Sequence, residues 1–385
     1  MVAFASVSWQ ADRMAELPLI PLSGTPVERG RQHGAALAER IAANVDLYRF
    51  RMREDAGLSD DELRQRIDFY HEVFASMSPS YAETMAGIAE GSRQEMSDIV
   101  MLNARFELLY SAWSETGTTA GECTAFGAPR EHTSDGHTRI GQNWDWFDRV
   151  QGALVVFDDN GLTTLGYTEA GIAGVKIGVN SAGIGLCVNG LSCDADDWRL
   201  GGMPFHLRTS LILSATNLHR AVGHASLSPP SCSANFMIGA PEGVVDVESS
   251  PRGSRRIEPD DAVLVHANHF LDPDLLEVTQ RWHREPITTF HRQKRLDTLL
   301  NAPDRLTVEH TEESLRDHDG AVKAVCRHPD MDASEHTRIH TAFSVIIDVD
   351  DQRLEYTEGP PCQSVFHTVS LDTARAKLDQ PTVRV

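Results

Sequence analysis

Near residue 115 the chain changes its hydrophobic period, and this switch restricts the fold more than any other feature of the sequence. Upstream the period is helical. Thr25-Pro26-Val27-Glu28 supplies a cap, a proline suited to the first helical position and an acidic first turn, after which apolar residues recur through Leu37, Ile41, Val45 and Tyr48. Ser59-Asp60-Asp61-Glu62 opens a second helix through Ile67 and Phe69, and Ser78-Pro79 a third that runs past Met85 and Ile88 to Gly91. Ser97-Asp98 opens a fourth, carrying Ile99, Leu102, Phe106 and Leu109. The small, polar stretch from Ser111 to Gly121 predicts a loop.

Downstream the signal is one of strands and tight turns. Ala153 to Phe157, Thr163 to Tyr167, Val175 to Val179 and Ile184 to Val188 read as a β-meander, with Asp159-Asn160-Gly161 and Asn180-Ser181-Ala182-Gly183 at the turns. Ala342 to Ile347 and Leu354 to Tyr356 predict a late hairpin across Asp348 to Gln352. Phe205 to Ala215 and Ile287 to Leu300 predict helices. Strands grouped in this way, with helices to cover them, suggest stacked sheets faced by helix. The expected organisation is a mainly helical segment over residues 1–122 and a β-rich segment over 123–385, combined in one domain.

Cys123 lies at the head of the first strand-like run, within Gly121-Glu122-Cys123-Thr124-Ala125-Phe126. Asp145 lies in the next, Gly141-Gln142-Asn143-Trp144-Asp145-Trp146-Phe147, and Asp135-Gly136 between them is a hairpin signal. A thiol on one strand and a carboxylate on its neighbour are the parts of a nucleophile and its supporting acid. Trp144, Trp146 and Phe147 are candidates to line a substrate pocket.

A chain of 385 residues with 41% hydrophobic and 24% charged residues can bury a large core. The net charge of −21 argues against nucleic acid and anionic membrane as partners. No stretch of about 18 apolar residues predicts a membrane span. The six cysteines are scattered, with no CxxC pair, and read as reduced thiols in a cytoplasmic protein. Seventeen histidines include His336 and His340 at a spacing that would share a helix face, but HExxH is absent and no metal site is expected. Gly183-Ile184-Gly185 lacks the third glycine of a dinucleotide loop, and no cofactor is expected.

The motifs Gly24-Thr25-Pro26-Val27-Glu28-Arg29-Gly30, Gln32-His33-Gly34, Ile99 to Arg105, Gly141 to Asp145, Glu169-Ala170-Gly171-Ile172, Val179 to Gly183, His266-Ala267-Asn268-His269 and Val325-Cys326-Arg327 occur in order along the chain. Together they resemble the acyl-coenzyme A:6-aminopenicillanic acid acyltransferase family, which is isopenicillin N acyltransferase-like and belongs to the cysteine N-terminal-nucleophile hydrolases. The resemblance implies an α+β fold, a four-layer αββα sandwich, made as a precursor and cut between Glu122 and Cys123 into α and β fragments. It implies Cys123 as nucleophile, Asp145 as catalytic aspartate, Asn189 and Asn268 as oxyanion and nucleophile support, and Arg338 as the active-site arginine. Glu122 departs from the glycine that the family usually carries before the cysteine. The expected activity is hydrolysis or acyl transfer on a small amide or N-acyl amino compound through an S-acyl enzyme, and a homo-oligomer is compatible with it. The alternative is an uncleaved, silent member that binds an acylated ligand or a partner.

Overall fold

The computed structural model describes residues 17–116, 123–281, 288–334 and 338–378. After a short strand, β1 (Leu19–Leu22), six helices follow: α1 (Pro26–Ala36), α2 (Ala38–Glu54), α3 (Asp60–Met77), α4 (Pro79–Ser92), α5 (Met96–Asn103) and α6 (Arg105–Thr116). The caps read at Thr25, Ser59 and Ser78 are in place, whereas the fourth start is not at Ser97: α5 begins one residue earlier, with Glu95 as its N-cap and no side-chain cap bond. Thr25 with Glu28, and Ser59 with Glu62, form reciprocal capping boxes at α1 and α3, satisfying backbone N–H groups that a helix start leaves open.

Two helices expected to be continuous are each broken, at Leu37 between α1 and α2 and at Ala104 between α5 and α6. The break at Leu37 lets α1 lie flat on α4. There Gly30 and Gly87 meet backbone to backbone, and a methyl group on Gly87 would collide with the Val27 carbonyl. The loop expected from Ser111 is instead the last turns of α6, which bury Ala112 and Trp113. Burial of the tryptophan outweighs the weak helix preference of the serine and threonine around it.

The β-rich part contains β2 (Thr124–Ala128), β3 (Arg139–Phe147), β4 (Gly152–Asp159), β5 (Leu162–Glu169), β6 (Ile177–Asn180) and β7 (Gly185–Gly190). Helices α7 (Phe205–Leu213) and α8 (Leu218–Ser226) precede β8 (Ala234–Ala240), β9 (Gly243–Ser250), β10 (Gly253–Ile257) and β11 (Leu264–His266). Helices α9 (Thr289–Leu300) and α10 (Val308–Leu315) precede β12 (Ile339–Asp348), β13 (Arg353–Glu358), β14 (His367–Ser370) and α11 (Leu371–Arg375).

The strands make two sheets, one in the order β1-β4-β5-β6-β7-β8-β9-β10 and one in the order β11-β2-β3-β12-β13-β14. Strands β2 and β3 pack face to face on β7 and β8, α7 and α8 lie against the first sheet, and α9 and α10 cover the second. This is the four-layer αββα sandwich. Both sheets are buried on both faces here, so β3 is buried at every position and reads in sequence as a run without clean alternation. The β12–β13 hairpin and the β2–β3 pairing are as expected. No described helix is long and apolar enough to cross a membrane.

Candidate active site

Cys123 precedes β2 by one residue, and Asp145 stands near the end of the adjacent strand β3. Antiparallel pairing therefore brings two residues 22 apart in sequence side by side. The Cys123 thiol donates to the Asp145 carbonyl at 3.8 Å. Burial and the neighbouring Asp145 push the thiol up to about 12, against the opposing pull of Lys176 and Arg292.

The Asp145 side chain faces Thr341 of β12, whose hydroxyl donates to Oδ1 at 2.7 Å. The pairing of β3 with β12 slips between Thr341 and Phe343, so that Ala342 is an extra residue beside the aspartate. A bulge of this kind re-aims side chains next to a site. Asp145 Oδ2 is buried without a hydrogen-bond partner among the described residues. Burial pushes the carboxyl up to about 8, although Arg292 and the Thr341 hydroxyl both draw it down.

Arg292 of α9 is fully buried and clasps the start of β2. Its guanidinium donates to the Cys123 carbonyl, to Thr124 Oγ1 at 2.7 Å and to Asn268 Oδ1 at 3.0 Å. Asn268 in turn donates to the Gly190 carbonyl at 3.0 Å, which leaves its second amide N–H without a bond among the described residues. Asn189, at the end of β7, is held more completely. It accepts from Gln142 Nε2 at 2.8 Å and donates to Asn235 Oδ1 at 3.3 Å and to the His266 carbonyl at 3.1 Å. Gln142 also bonds both backbone groups of Val188, so one side chain from β3 ties the two sheets together beneath the site.

A narrow cavity opens on Cys123 between Phe106, Tyr110, Trp144, Trp146 and Phe205, with Arg105 and Lys176 at its wall. Both cations bond Glu169, Lys176 at 2.7 Å, and Glu169 also accepts from the Tyr48 hydroxyl at 2.6 Å. Tyr48 accepts from the Trp146 indole at 2.7 Å, and the Lys176 ammonium sits 3.1 Å from the centroid of the Trp144 ring. Burial pushes Lys176 down to about 7, while Arg105 and Lys176 hold Glu169 below the ordinary carboxylate range in spite of its own burial. This network fixes the two tryptophans by hydrogen bonding and cation–π contact.

A family model described as acyl-coenzyme A:6-aminopenicillanic acid acyl-transferase matches residues 132–363 of the chain. The protein belongs to this family. The 40 kDa form of the acyl-coenzyme A:6-aminopenicillanic-acid-acyltransferase of Emericella nidulans is 30% identical over 339 residues, which cover 86% of this chain and 89% of that one. Among solved structures, a variant of conjugated bile acid hydrolase from Clostridium perfringens matches with a TM-score of 0.45 at 12% identity, over 65% of this chain and 93% of the other. Penicillin V acylase from Agrobacterium tumefaciens matches with a TM-score of 0.40 at 13% identity, over 61% and 83%. Membership of the acyltransferase family makes acyl transfer or amide hydrolysis the class of chemistry that the site serves.

Of the residues singled out in this acyltransferase-family sequence, Cys123 and Asp145 are in direct contact, and Asn268 is one guanidinium away. Trp144 and Trp146 line the cavity. Phe147 lies in the core instead, against Trp146 at a centroid separation of 4.8 Å and beneath the Arg51 guanidinium. Arg338 is placed elsewhere. Its guanidinium donates to the carbonyls of Ala333 at 3.3 Å and Met331 at 3.1 Å, within its own loop. The buried guanidinium that grips the Cys123 carbonyl is that of Arg292, which stands in none of the motifs. Its signal was there, since Arg292 occupies the same helix stripe as Leu296 and Leu300, where an arginine has no business unless it is paired. Glu122 lies outside the described residues, as does His336. His340 is on strand β12, so the shared helix face expected of the His336 and His340 pair does not exist.

Proposed function

We propose that the protein is a self-processing cysteine amidase or N-acyltransferase acting on a small amide or N-acyl amino compound. The observation that carries this reading is the position of Cys123. It heads β2 against Asp145, its carbonyl is gripped by Arg292, and its thiol faces a narrow aromatic cavity. The uncut chain leaves only about 20 Å³ of free space in this cavity, and so narrow an aromatic lining favours a small acyl group.

Cleavage before Cys123 would leave the residue with both a thiol and an α-amino group. An amine near pKa ~8 is matched to take the proton of a thiol near ~8.5. The sulfur then attacks the substrate carbonyl carbon, and the proton it gave up passes to the leaving nitrogen as the amide C–N bond breaks. The acyl group remains on sulfur until water or an acceptor amine takes it. Asp145 orients the amine. Asn268 has the spare N–H to stabilise the tetrahedral oxyanion, a contribution of roughly 3–4 kcal/mol for one such donor in other enzymes. Asn189, whose amide hydrogens are both engaged, acts by holding the strand end and the His266 carbonyl.

Intact-mass analysis of the purified protein tests the processing step. Fragments of 122 and 263 residues, which sum to the chain length of 385, are expected from the native sequence, and Cys123→Ala should stay whole. An intact 42.5 kDa chain whose Cys123 does not react with acyl amides would instead identify a silent binding member of the family. A panel of small acyl amides, assayed with and without an acceptor amine, separates hydrolysis from transfer.

A further inference from the structure

Beyond the acyl-transfer site, four side chains from three separate segments converge at the surface. His318 lies in the turn after α10, Cys326 and His328 lie in the segment that leads toward β12, and Cys362 lies in the turn after β13. Their ligand atoms all fall within 4.8 Å of one another. His328 Nε2 is 3.1 Å from His318 Nε2, 3.2 Å from Cys362 Sγ and 4.0 Å from Cys326 Sγ. We propose that these residues form a closed Cys2His2 site for one zinc ion, structural in role.

The dimensions are those of a tetrahedral centre. Zn–N bonds of about 2.0–2.1 Å and Zn–S bonds of about 2.3 Å, set at the tetrahedral angle, put ligand atoms roughly 3.3–3.8 Å apart. The three separations above, 3.1, 3.2 and 4.0 Å, bracket that range, and no pair exceeds 4.8 Å, so shifts of an ångström or less would close the centre on an ion. Two thiolates with two imidazoles are a soft, borderline donor set that selects zinc over the oxygen-seeking magnesium and calcium. Two thiolates also neutralise the charge of a divalent ion, and both thiol protons pass to solvent on binding.

The surroundings support the ligands. Gln363 Nε2 lies 3.4 Å from His328 Nδ1, which leaves Nε2 directed at the cluster. Arg316 Nε donates to the Pro361 carbonyl at 3.0 Å, tying the first segment to the third, and the Cys326 N–H donates to the Asp317 carbonyl at 2.9 Å, tying the second to the first. Cys326 is buried while Cys362, His318 and His328 are exposed, so a metal ion has a path in. A disulfide between the two cysteines would account for neither histidine.

The site is coupled to the acyl-transfer site through one residue. The Arg327 N–H, between two of the ligands, donates to Thr341 Oγ1 at 3.0 Å, and the same hydroxyl donates to Asp145 at 2.7 Å. A zinc ion would hold the 326–328 segment against β12 and so hold the residue that orients the aspartate. Sequence alone concealed the set because its parts come from three loops and contain no CxxC; only Cys326-Arg327-His328 places two ligands close together. The absence of a metal site expected from sequence is replaced by this proposal.

Metal analysis of the full-length, untagged chain by mass spectrometry should find about one zinc per chain. Replacement by cobalt should give the thiolate-to-cobalt and ligand-field bands of a tetrahedral sulfur-and-nitrogen site. Cys362→Ser and His318→Ala change exposed residues, and each should weaken zinc retention against a chelator by at least roughly tenfold. His219→Ala, a surface histidine outside the cluster, should retain it. The proposal is overturned if the native chain takes up neither zinc nor cobalt, if Cys362→Ser holds zinc as the native chain does, or if Cys326 and Cys362 are recovered as a disulfide-linked peptide.

Discussion

Replacing Asp145 by asparagine should make the stability of the chain less sensitive to pH, by an amount that follows from its environment. In the fold the carboxyl is pushed up to about 8 from an ordinary 3.8, by burial that Arg292 and Thr341 only partly offset. A folded pKa above the unfolded one means that this group favours the fold fully below about pH 4. That stability is given up as the pH rises through about 8. Each pH unit inside this window costs about 1.36 kcal/mol, so between pH 5 and pH 7 the single carboxyl withdraws on the order of 2.7 kcal/mol. Asparagine can still accept from Thr341 and does not titrate. The comparison is best made between Cys123→Ala and Cys123→Ala/Asp145→Asn, so that both chains stay uncut. Asp196 and Asp246, each pushed up to about 6 by burial, titrate in the same window but are present in both proteins and cancel. Urea unfolding at several pH values gives the difference directly. The asparagine variant should gain on its parent by about 2–3 kcal/mol from pH 5 to pH 7. A difference that stays flat within about 0.5 kcal/mol, the usual error of additivity, refutes the raised pKa and with it the dry environment assigned to Asp145.

Three further substitutions test other parts of the structure. Arg292→Lys retains the charge but cannot reach Cys123, Thr124 and Asn268 at once, leaving a buried acceptor unpaired at a cost of about 1–3 kcal/mol; fragment formation over time should slow while a melting curve shows a folded protein, and an unchanged rate would remove Arg292 from the site. Gly87→Ala and Gly223→Ala should have opposite effects on the melting temperature. The first drives a methyl into α1 and should destabilise by about 1–3 kcal/mol. The second meets only Leu227, at 3.6 Å, in α8 and should gain the helix preference of alanine, roughly 0.5–1 kcal/mol.

Contacts between neighbouring elements were legible in the sequence, and contacts across layers were not. The capping boxes of Thr25 and Ser59, the β12–β13 hairpin and the meeting of Cys123 with Asp145 depend on spacing within one or two elements, where side-chain period and turn chemistry decide. Arg292 reaches Cys123 across 169 residues, and its helix shows only that a charged residue lies on the buried stripe. The break at Leu37 carries no proline or glycine to announce it; it follows from the close approach of α1 to α4, which depends on glycines in both. Arg338 shows the reverse case. A residue assigned by resemblance donates to two carbonyls of its own loop, while Arg292, in none of the motifs, bonds the Cys123 carbonyl.

The charges around Cys123 explain what a cut before this residue would change. In the continuous chain the thiol stands at about 12, so at pH 7 a fraction on the order of 10⁻⁵ is thiolate. Asp145, at about 8, is mostly uncharged at the same pH. Lys176 is occupied by Glu169 and by the face of Trp144. Nucleophile and acid are thus both held neutral, and among the described residues the thiol's hydrogen-bond partner is a backbone carbonyl, which is no base. Release of an α-amine on Cys123 supplies that base on the same residue, and a protonated amine beside Asp145 would favour the carboxylate and lower its pKa. Cleavage would then convert a neutral, buried pair into a charged, reactive one. It would also free the residue from the chain on its N-terminal side, leaving the new terminus anchored by β2 and by the Arg292 clasp on the Cys123 carbonyl and Thr124. On this account the arginine grips the backbone and not the sulfur, so that it holds the start of β2 in one place before a cut and after it.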